Sequence, residues 1–415
     1  MLSRRQLFAA LAATPALVAL RFPVAFASTT GEAFWQELRR HFLIPPDQAF
    51  FNTATLGAMP ASVLGALTDS LVDVEVRLAD WAYPSEDRRP PLAGYDAEDA
   101  VRAKLGRLLG CEGRDLALTR NATMGHNFVA HGLDLEAGDE VLITDQEHPG
   151  GRSAWDLRAA RHGVVVTEVP VDPRGSADDV VEAFRAAIGE RTRVLAIPHI
   201  TSRLGLRLPV ERLSALARER GVFSLIDGAQ GPGQLAVELA SLGCDAYFSS
   251  PHKWLLAPKG CGFLYIRAEA QDAVWTTLAS KQWDNREEGL FRLQQIGTGN
   301  RSMTVAYEAS IDWWLQLGLQ RGANRAQHMA RLLRAGLAEL DVVLESASDV
   351  GLQSAITTIS APGRDHRELQ EDLWRLARVR VRAVKESLRI STHLYTLPGD
   401  IERLVTTLAA LLRSG

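Results

Sequence analysis

Two residues of this sequence pair an acid with an amine at the ends of neighbouring apolar runs: Asp227 and Lys253. Lys253 sits in Ser249-Ser250-Pro251-His252-Lys253-Trp254. The run before it, Asp245-Ala246-Tyr247-Phe248, reads as a short buried strand. Gly260-Cys261-Gly262 and a second such run, Phe263-Leu264-Tyr265-Ile266, follow. A lysine between two strands stands where an α/β sheet presents strand ends to a ligand. Most lysines are solvated surface charges, so the position alone decides little. The partner upstream changes that. Val222-Phe223-Ser224-Leu225-Ile226 is a third strand-like run, and it ends in Asp227-Gly228-Ala229-Gln230. An acid there and an amine just past the next strand suit pyridoxal 5'-phosphate (PLP). The amine forms a Schiff base with the aldehyde. The acid keeps the pyridine nitrogen protonated.

The elements around this pair must hold it. Leu116-Ala117-Leu118-Thr119, Asp139-Glu140-Val141-Leu142-Ile143-Thr144, Val164-Val165-Val166-Thr167-Glu168-Val169 and Val194-Leu195-Ala196-Ile197 also read as strands. Helical sequence separates them. Such alternation predicts an α/β fold with a mostly parallel sheet and helices on both faces. Three strand ends lead into segments of interest. Arg120-Asn121-Ala122-Thr123 opens a helical pattern, where small and hydroxyl residues leave backbone N–H groups for an anion. Helix capping by Asn121 or Thr123 would use the same groups. His148 comes directly after another strand, in Asp145-Gln146-Glu147-His148-Pro149-Gly150-Gly151. Pro198-His199-Ile200-Thr201-Ser202-Arg203-Leu204-Gly205 follows the last.

The tetrad Asp227-Gly228-Ala229-Gln230, followed by the hexad that holds Lys253, resembles class V aminotransferase-fold PLP enzymes (fold type I). The isopenicillin N epimerase-like group is the branch it looks most like, including a periplasmic enzyme that tailors the siderophore pyoverdine. The resemblance runs from about Phe50 to the end and implies roles for particular residues. Ala122 and Thr123 hold the cofactor phosphate. His148 stacks on the pyridine ring, with a second role in proton transfer. His199 and Ser202 approach the ring hydroxyl and the substrate, with Arg203 either a substrate contact or a surface charge. Gln230 and His252 join Asp227 and Lys253 around the cofactor. Asn52 lies in an N-terminal loop folded back over the substrate. Gly297-Thr298 reaches the phosphate of a neighbouring subunit, which implies a homodimer with shared active sites. Arg389, in Ser387-Leu388-Arg389-Ile390-Ser391, grips the substrate α-carboxylate through two parallel hydrogen bonds.

The rest of the chain frames these expectations. Its 415 residues suffice for one large or two medium domains. A hydrophobic share of 46%, a charged share of 23% and a net charge of −4 suit a soluble globular protein and point to no nucleic acid. Ser3-Arg4-Arg5-Gln6-Leu7-Phe8, an apolar stretch over 7–20 and Ala25-Phe26-Ala27 have the layout of a twin-arginine signal peptide. Removal of residues 1–27 and a periplasmic location are then expected. The apolar stretch is shorter than the ~20 residues of a membrane span, so no stable anchor is expected. An N-terminal segment over the active site (28–60), a large cofactor domain (61–285) and a small α+β domain (286–415) should follow. Residues 307–340 read as long amphipathic helices with Trp313-Trp314 in the core. Cys111, Cys244 and Cys261 form no C-x-x-C pair, and a disulfide between two of them stays open.

The sequence therefore predicts an exported PLP enzyme acting at Cα of an amino acid, or of the amino-acid part of a peptide-like secondary metabolite, in aminotransferase-like tailoring. Epimerisation and C–S lysis on the same fold are the alternatives. No metal motif is present, and no cysteine follows Cys261 to carry a persulfide. The presence of both Lys253 and Asp227 speaks against a non-catalytic binding protein.

Overall fold

Runs such as Val194-Leu195-Ala196-Ile197 are apolar on both faces, so a sheet built from them needs cover on both sides. The computed structural model describes residues 31–78 and 95–413, with side chains from residue 99 in the second stretch, and provides that cover. The expected signal peptide lies outside the described residues. Seven strands form the main sheet: β1 (Leu116–Thr119), β2 (Glu140–Thr144), β3 (Val165–Val169), β4 (Thr192–Pro198), β5 (Phe223–Asp227), β6 (Ala246–Ser249) and β7 (Gly262–Ile266). Their order is β1-β7-β6-β5-β4-β2-β3. Only β7 runs antiparallel to its neighbours, β1 and β6.

Alternate side chains of one strand feed opposite cores. Leu195 and Ile197 pack with Leu142, Ile226 and Phe263 on one face. Val194 and Ala196 pack with Val141, Leu225 and Leu264 on the other. Tyr307, Ile311, Trp313 and Trp314, from the helix Arg301–Leu317, join the first of these cores. Leu290 and Leu293 join the second. A third apolar cluster holds Met329, Leu333, Ile359, Ile390, Leu404 and Leu408. Ala347, Leu352, Leu394 and Tyr395, from later in the chain, also belong to the first core.

The C-terminal part of the chain carries a four-stranded antiparallel sheet of β8 (Val343–Leu344), β9 (Ile356–Ser360), β10 (Arg382–Ala383) and β11 (Leu388–Ser391), ordered β10-β11-β9-β8. The N-terminal segment is stitched to this part. Ala49–Phe50 pairs in parallel with Val379–Arg380. The Ser391 N–H donates to the Phe51 carbonyl at 2.8 Å. Cys111, Cys244 and Cys261 are all free thiols.

Candidate active site

β1, β2, β4, β5 and β6 all point their C-terminal ends to one edge of the sheet, the usual ligand side of an open α/β sheet. A cavity of about 690 Å³ opens there. Ala122, Thr123, His148, Ser202, Asp227 and Gln230 line it. So do His252, Lys253 and Arg389. Of the residues expected from sequence, Asn52 stands just behind this wall and Thr298 stands apart, exposed on its loop.

Lys253 sits in a tight turn after β6, its N–H donating to the Ser250 carbonyl at 3.0 Å. Burial is the main force on its amine and lowers it to about 8; the Arg389 charge adds to this and Asp227 opposes it. A fair share of Lys253 is therefore the neutral nucleophile near neutral pH. Asp227 ends β5 and accepts the Ala229 N–H at 2.8 Å. Its carboxyl is raised above the usual range, chiefly by burial. Gly228 cannot be larger. A Cβ there would lie 1.8 Å from a ring carbon of Tyr247, whose ring fills the space behind the acid.

The turn after β1 opens the helix Ala122–Gly132. Asn121 caps it, accepting the Met124 N–H at 2.9 Å. The Ala122 N–H donates to Ser250 Oγ at 2.9 Å. The Thr123 N–H makes no hydrogen bond among the described residues, so one donor at this positive helix end remains for an anion. His148 is the N-cap of the helix Pro149–His162, and its Nδ1 accepts the Gly150 N–H at 3.0 Å. Partial burial and then the Lys253 charge hold its imidazole below the usual range, which favours the neutral ring.

Arg389, on β11, is 7% exposed. Its guanidinium donates to the Ser202 carbonyl at 2.8 Å, to Thr55 Oγ1 at 2.5 Å and to Asn52 Oδ1 at 3.4 Å. All three acceptors are neutral, and its Nε is buried with no partner. Burial, with Arg382 adding to it, lowers its ionisation to about 10, which leaves it a cation.

Several side chains take parts that sequence reasoning did not give them. Gln230 is mainly a tie: its amide nitrogen donates to the Ala54 carbonyl at 3.0 Å, and its amide oxygen accepts Trp254 Nε1 at 2.6 Å. His252 steadies the Lys253 turn by its Nδ1 contact with the Cys261 carbonyl at 3.0 Å. His199, expected beside the cofactor ring, instead turns into the core and meets Tyr247 Oη at 3.1 Å. The strand period explains this, because Pro198 and Ile200 face the cavity and the residue between them faces away. Ser250, Thr55, Glu147, Arg382 and Lys385 line the cavity and were not singled out. Ser250 and Glu147 are sequence neighbours of motif residues, a signal that was available. The hairpin bearing Arg382 and Lys385 gave none.

The class-V aminotransferase profile matches residues 93–404. Isopenicillin N epimerase of Amycolatopsis lactamdurans is 35% identical over 405 residues, covering 91% of this chain and 98% of the relative. The chain belongs to the class-V aminotransferase family. A second isopenicillin N epimerase, from Streptomyces clavuligerus, is 33% identical over 408 residues, with 91% and 98% covered. In three dimensions a cystine C–S lyase, solved with its product cysteine persulfide, superposes with a TM-score of 0.78 at 23% identity, covering 88% of this chain and 98% of that one. The fold is that of fold type I PLP enzymes, and the protein is a PLP-dependent class-V enzyme. Its residues fit the cofactor. Lys253 offers a buried amine of lowered basicity, Asp227 an acid for the pyridine nitrogen, and the Thr123 N–H an open anion donor.

Proposed function

We propose that this class-V enzyme acts at Cα of an α-amino acid, or of the amino-acid portion of a peptide-like metabolite, in aminotransferase-like tailoring. The observation that carries the reading is Arg389: a buried guanidinium with only neutral partners, sharing a cavity with Lys253. A buried charge without a counter-ion is costly, and a carboxylate would satisfy it with two parallel hydrogen bonds. Bound PLP supplies an electron sink for the bond that breaks at Cα. Arg389 fixes the substrate's orientation, which selects that bond. Lys253, with its amine in the same cavity, would accept the Cα proton. His148 is a second proton acceptor on the cavity wall.

Epimerisation is the second reading, favoured by the 35% identity to an isopenicillin N epimerase over nearly its full length. Both readings start with loss of the Cα proton. Desulfuration through a cysteine persulfide is disfavoured, because no cysteine lines the cavity.

Two further parts belong to the same proposal. The Arg4-Arg5 pair supports twin-arginine export to the periplasm, and Arg4→Lys with Arg5→Lys should keep the protein in the cytoplasm on cell fractionation. The exposed Gly297-Thr298 loop supports a homodimer in which Thr298 completes the partner's site. A monomer with full cofactor occupancy would sink that idea.

The central test is isotopic. Holoenzyme in D2O with L-α-amino acids and γ-glutamyl peptides should exchange the Cα proton, read by NMR, with chirality and keto acid measured in parallel. Exchange should vanish in Lys253→Ala and with amines that lack the carboxylate. Equal exchange from such amines would overturn the reading.

A further inference from the structure

The residue after Lys253 is held by a histidine from near the end of the chain. His393 Nε2 stands 3.0 Å from the Trp254 carbonyl oxygen. Among the described residues, no other group donates to that carbonyl. The protonation of the ring follows from its two contacts. Nδ1 accepts the Leu394 N–H at 2.8 Å, so it carries no hydrogen. Burial lowers the imidazole to about 3, against the Trp254 contact, which keeps the ring neutral. Its one hydrogen is therefore on Nε2, and Nε2 donates to Trp254. His393 is fully buried, and its ring stacks on those of Trp254, at 5.3 Å, and Tyr395, at 5.0 Å.

The turn that carries Lys253 needs such holding. Leu256, three residues past Lys253, is fully buried at φ 56°, the left-handed region that a leucine seldom occupies. Backbone of this kind persists only where its surroundings over-determine it. One brace comes from the helix Arg301–Leu317: Ser310 Oγ and Trp314 Nε1 each donate to the Leu255 carbonyl at 2.8 Å. His393 takes the carbonyl one residue nearer the amine. It follows β11 by two residues, so the strand that bears Arg389 runs on into the second brace.

We infer that His393 is a positioning residue for Lys253: through the Trp254 carbonyl it holds the turn in the shape that keeps the Lys253 amine buried. His393 itself does not line the cavity. The inference rests on the reading of Lys253 as the amine that takes PLP, and not on the identity of the substrate. Release of the brace lets the amine reach water. Burial is the main force that lowers this amine to about 8, so its ionisation should then rise towards that of an ordinary lysine. The charged and titratable groups that bear on it, Asp227, Arg389, His148 and His252, stay in place in every variant below.

The test is the pH profile of PLP capture by full-length apoprotein, followed by stopped-flow absorbance. Three variants separate the parts of the ring. His393→Gln carries an amide donor towards the Trp254 carbonyl and loses the stacking. His393→Asn keeps an acceptor for the Leu394 N–H and is too short to reach Trp254. His393→Phe keeps a stacked ring and has no donor. The asparagine and phenylalanine variants should capture PLP about tenfold more slowly at pH 7, with the plateau displaced upward by about one pH unit. His393→Gln should keep the wild-type profile. Lys253→Ala should show no capture.

Wild-type capture by Lys253→Ala would sink the reading of Lys253, and the inference with it. An unchanged profile in the asparagine and phenylalanine variants overturns the inference and leaves Lys253 standing. A glutamine variant displaced as far as the other two would assign the effect to ring packing and overturn it as well. So would slower capture with the plateau at the wild-type pH, which is damage without a change at the amine. If His393→Asn and His393→Phe both fail to fold, His393 serves the core alone and the inference falls.

Discussion

Gly57 lies against the backbone of Lys253 so closely that a Cβ on Gly57 would stand 1.9 Å from the Lys253 carbonyl oxygen. The Gly57 N–H also donates to the neighbouring His252 carbonyl at 2.9 Å. The N-terminal loop is therefore seated on the turn that carries the reactive amine. The same loop supplies Thr55 and Asn52 to Arg389. It couples the two chemical ends of the cavity through about five residues of chain.

Gly57→Ala should then disturb both ends. The backbone carbonyl cannot rotate away as a side chain would, so the loop must lift. Overpacking of this kind costs about 1–3 kcal/mol. A lower unfolding midpoint and faster loss of PLP on dialysis are the expected outcomes. A variant with unchanged midpoint and unchanged cofactor retention would show that the loop is not seated on Lys253 in solution.

The lowered basicity of Lys253 predicts how the apoprotein captures its cofactor. Only the neutral amine attacks an aldehyde. With an amine at about 8, the neutral fraction rises roughly tenfold between pH 7 and pH 9 and then levels off. An ordinary lysine near 10.4 would gain about a hundredfold over the same range and keep rising. Stopped-flow absorbance after mixing apoprotein with PLP measures the rate. A profile that climbs without a plateau to pH 10 would place the Lys253 amine in water.

Glu147 predicts a pH dependence of stability. Its carboxyl is pushed up to about 8, first by burial and further by Asp227, against hydrogen bonds from Thr144. A Cβ on Gly151 would sit 3.1 Å from Glu147 Oε2 and 3.4 Å from Asp227 Oδ2, so the two acids flank one point. In the unfolded chain a glutamate titrates near 4.3. Between those values the folded apoprotein holds a proton that the unfolded chain has released. Stability therefore falls as pH rises through the window, by up to about 1.4 kcal/mol per pH unit from this group. Glu147→Gln removes that slope. Thermal midpoints of apoprotein taken between about pH 5 and pH 7.5 should decline less in the variant. Parallel curves for the two proteins would mean that Glu147 is already ionised when folded.

Most of the scaffold could be read from the chain because buried parallel strands leave continuous apolar runs. Each such run from Leu116 to Ile266 became a strand of the main sheet. Asp227, Lys253 and Arg389 were legible for a different reason: their neighbours form motifs. His199 was misplaced because a loop reading ignored the strand period, which continues one residue past β4. Its N–H still bonds to the Asp227 carbonyl at 2.8 Å, as a strand residue would. Arg382 and Lys385 were silent because exposed cations are common in any sequence. Only the register opposite Arg389 gives them meaning. Ser250 is similar, since its role depends on the Ala122 amide, 128 residues earlier.

Arg389 carries the last prediction, which sets activity against stability. Its guanidinium is buried among neutral acceptors, with Nε unsatisfied and Arg382 opposite. In the absence of substrate this is an uncompensated charge. Replacing such a charge with an apolar side chain of similar length is often neutral or stabilising, by roughly 1–4 kcal/mol. Arg389→Met should therefore raise the unfolding midpoint of the free enzyme or leave it unchanged, despite the loss of three hydrogen bonds. Catalytic efficiency on an α-amino acid should meanwhile fall by about two to three powers of ten, because the two-pronged carboxylate contact is gone. Arg389→Lys keeps the charge and loses the fork, so it should be nearly as inactive without the gain in stability. PLP content should stay full in both variants, since the proposal gives Arg389 to the substrate carboxylate and not to the cofactor phosphate. The decisive comparison is ligand-induced stabilisation. Saturating substrate should raise the midpoint of the wild type and have little effect on Arg389→Met. A methionine variant destabilised by several kcal/mol, yet still stabilised by substrate, would make Arg389 a structural residue of the β11 wall. The carboxylate clamp would then have to be sought elsewhere in the cavity.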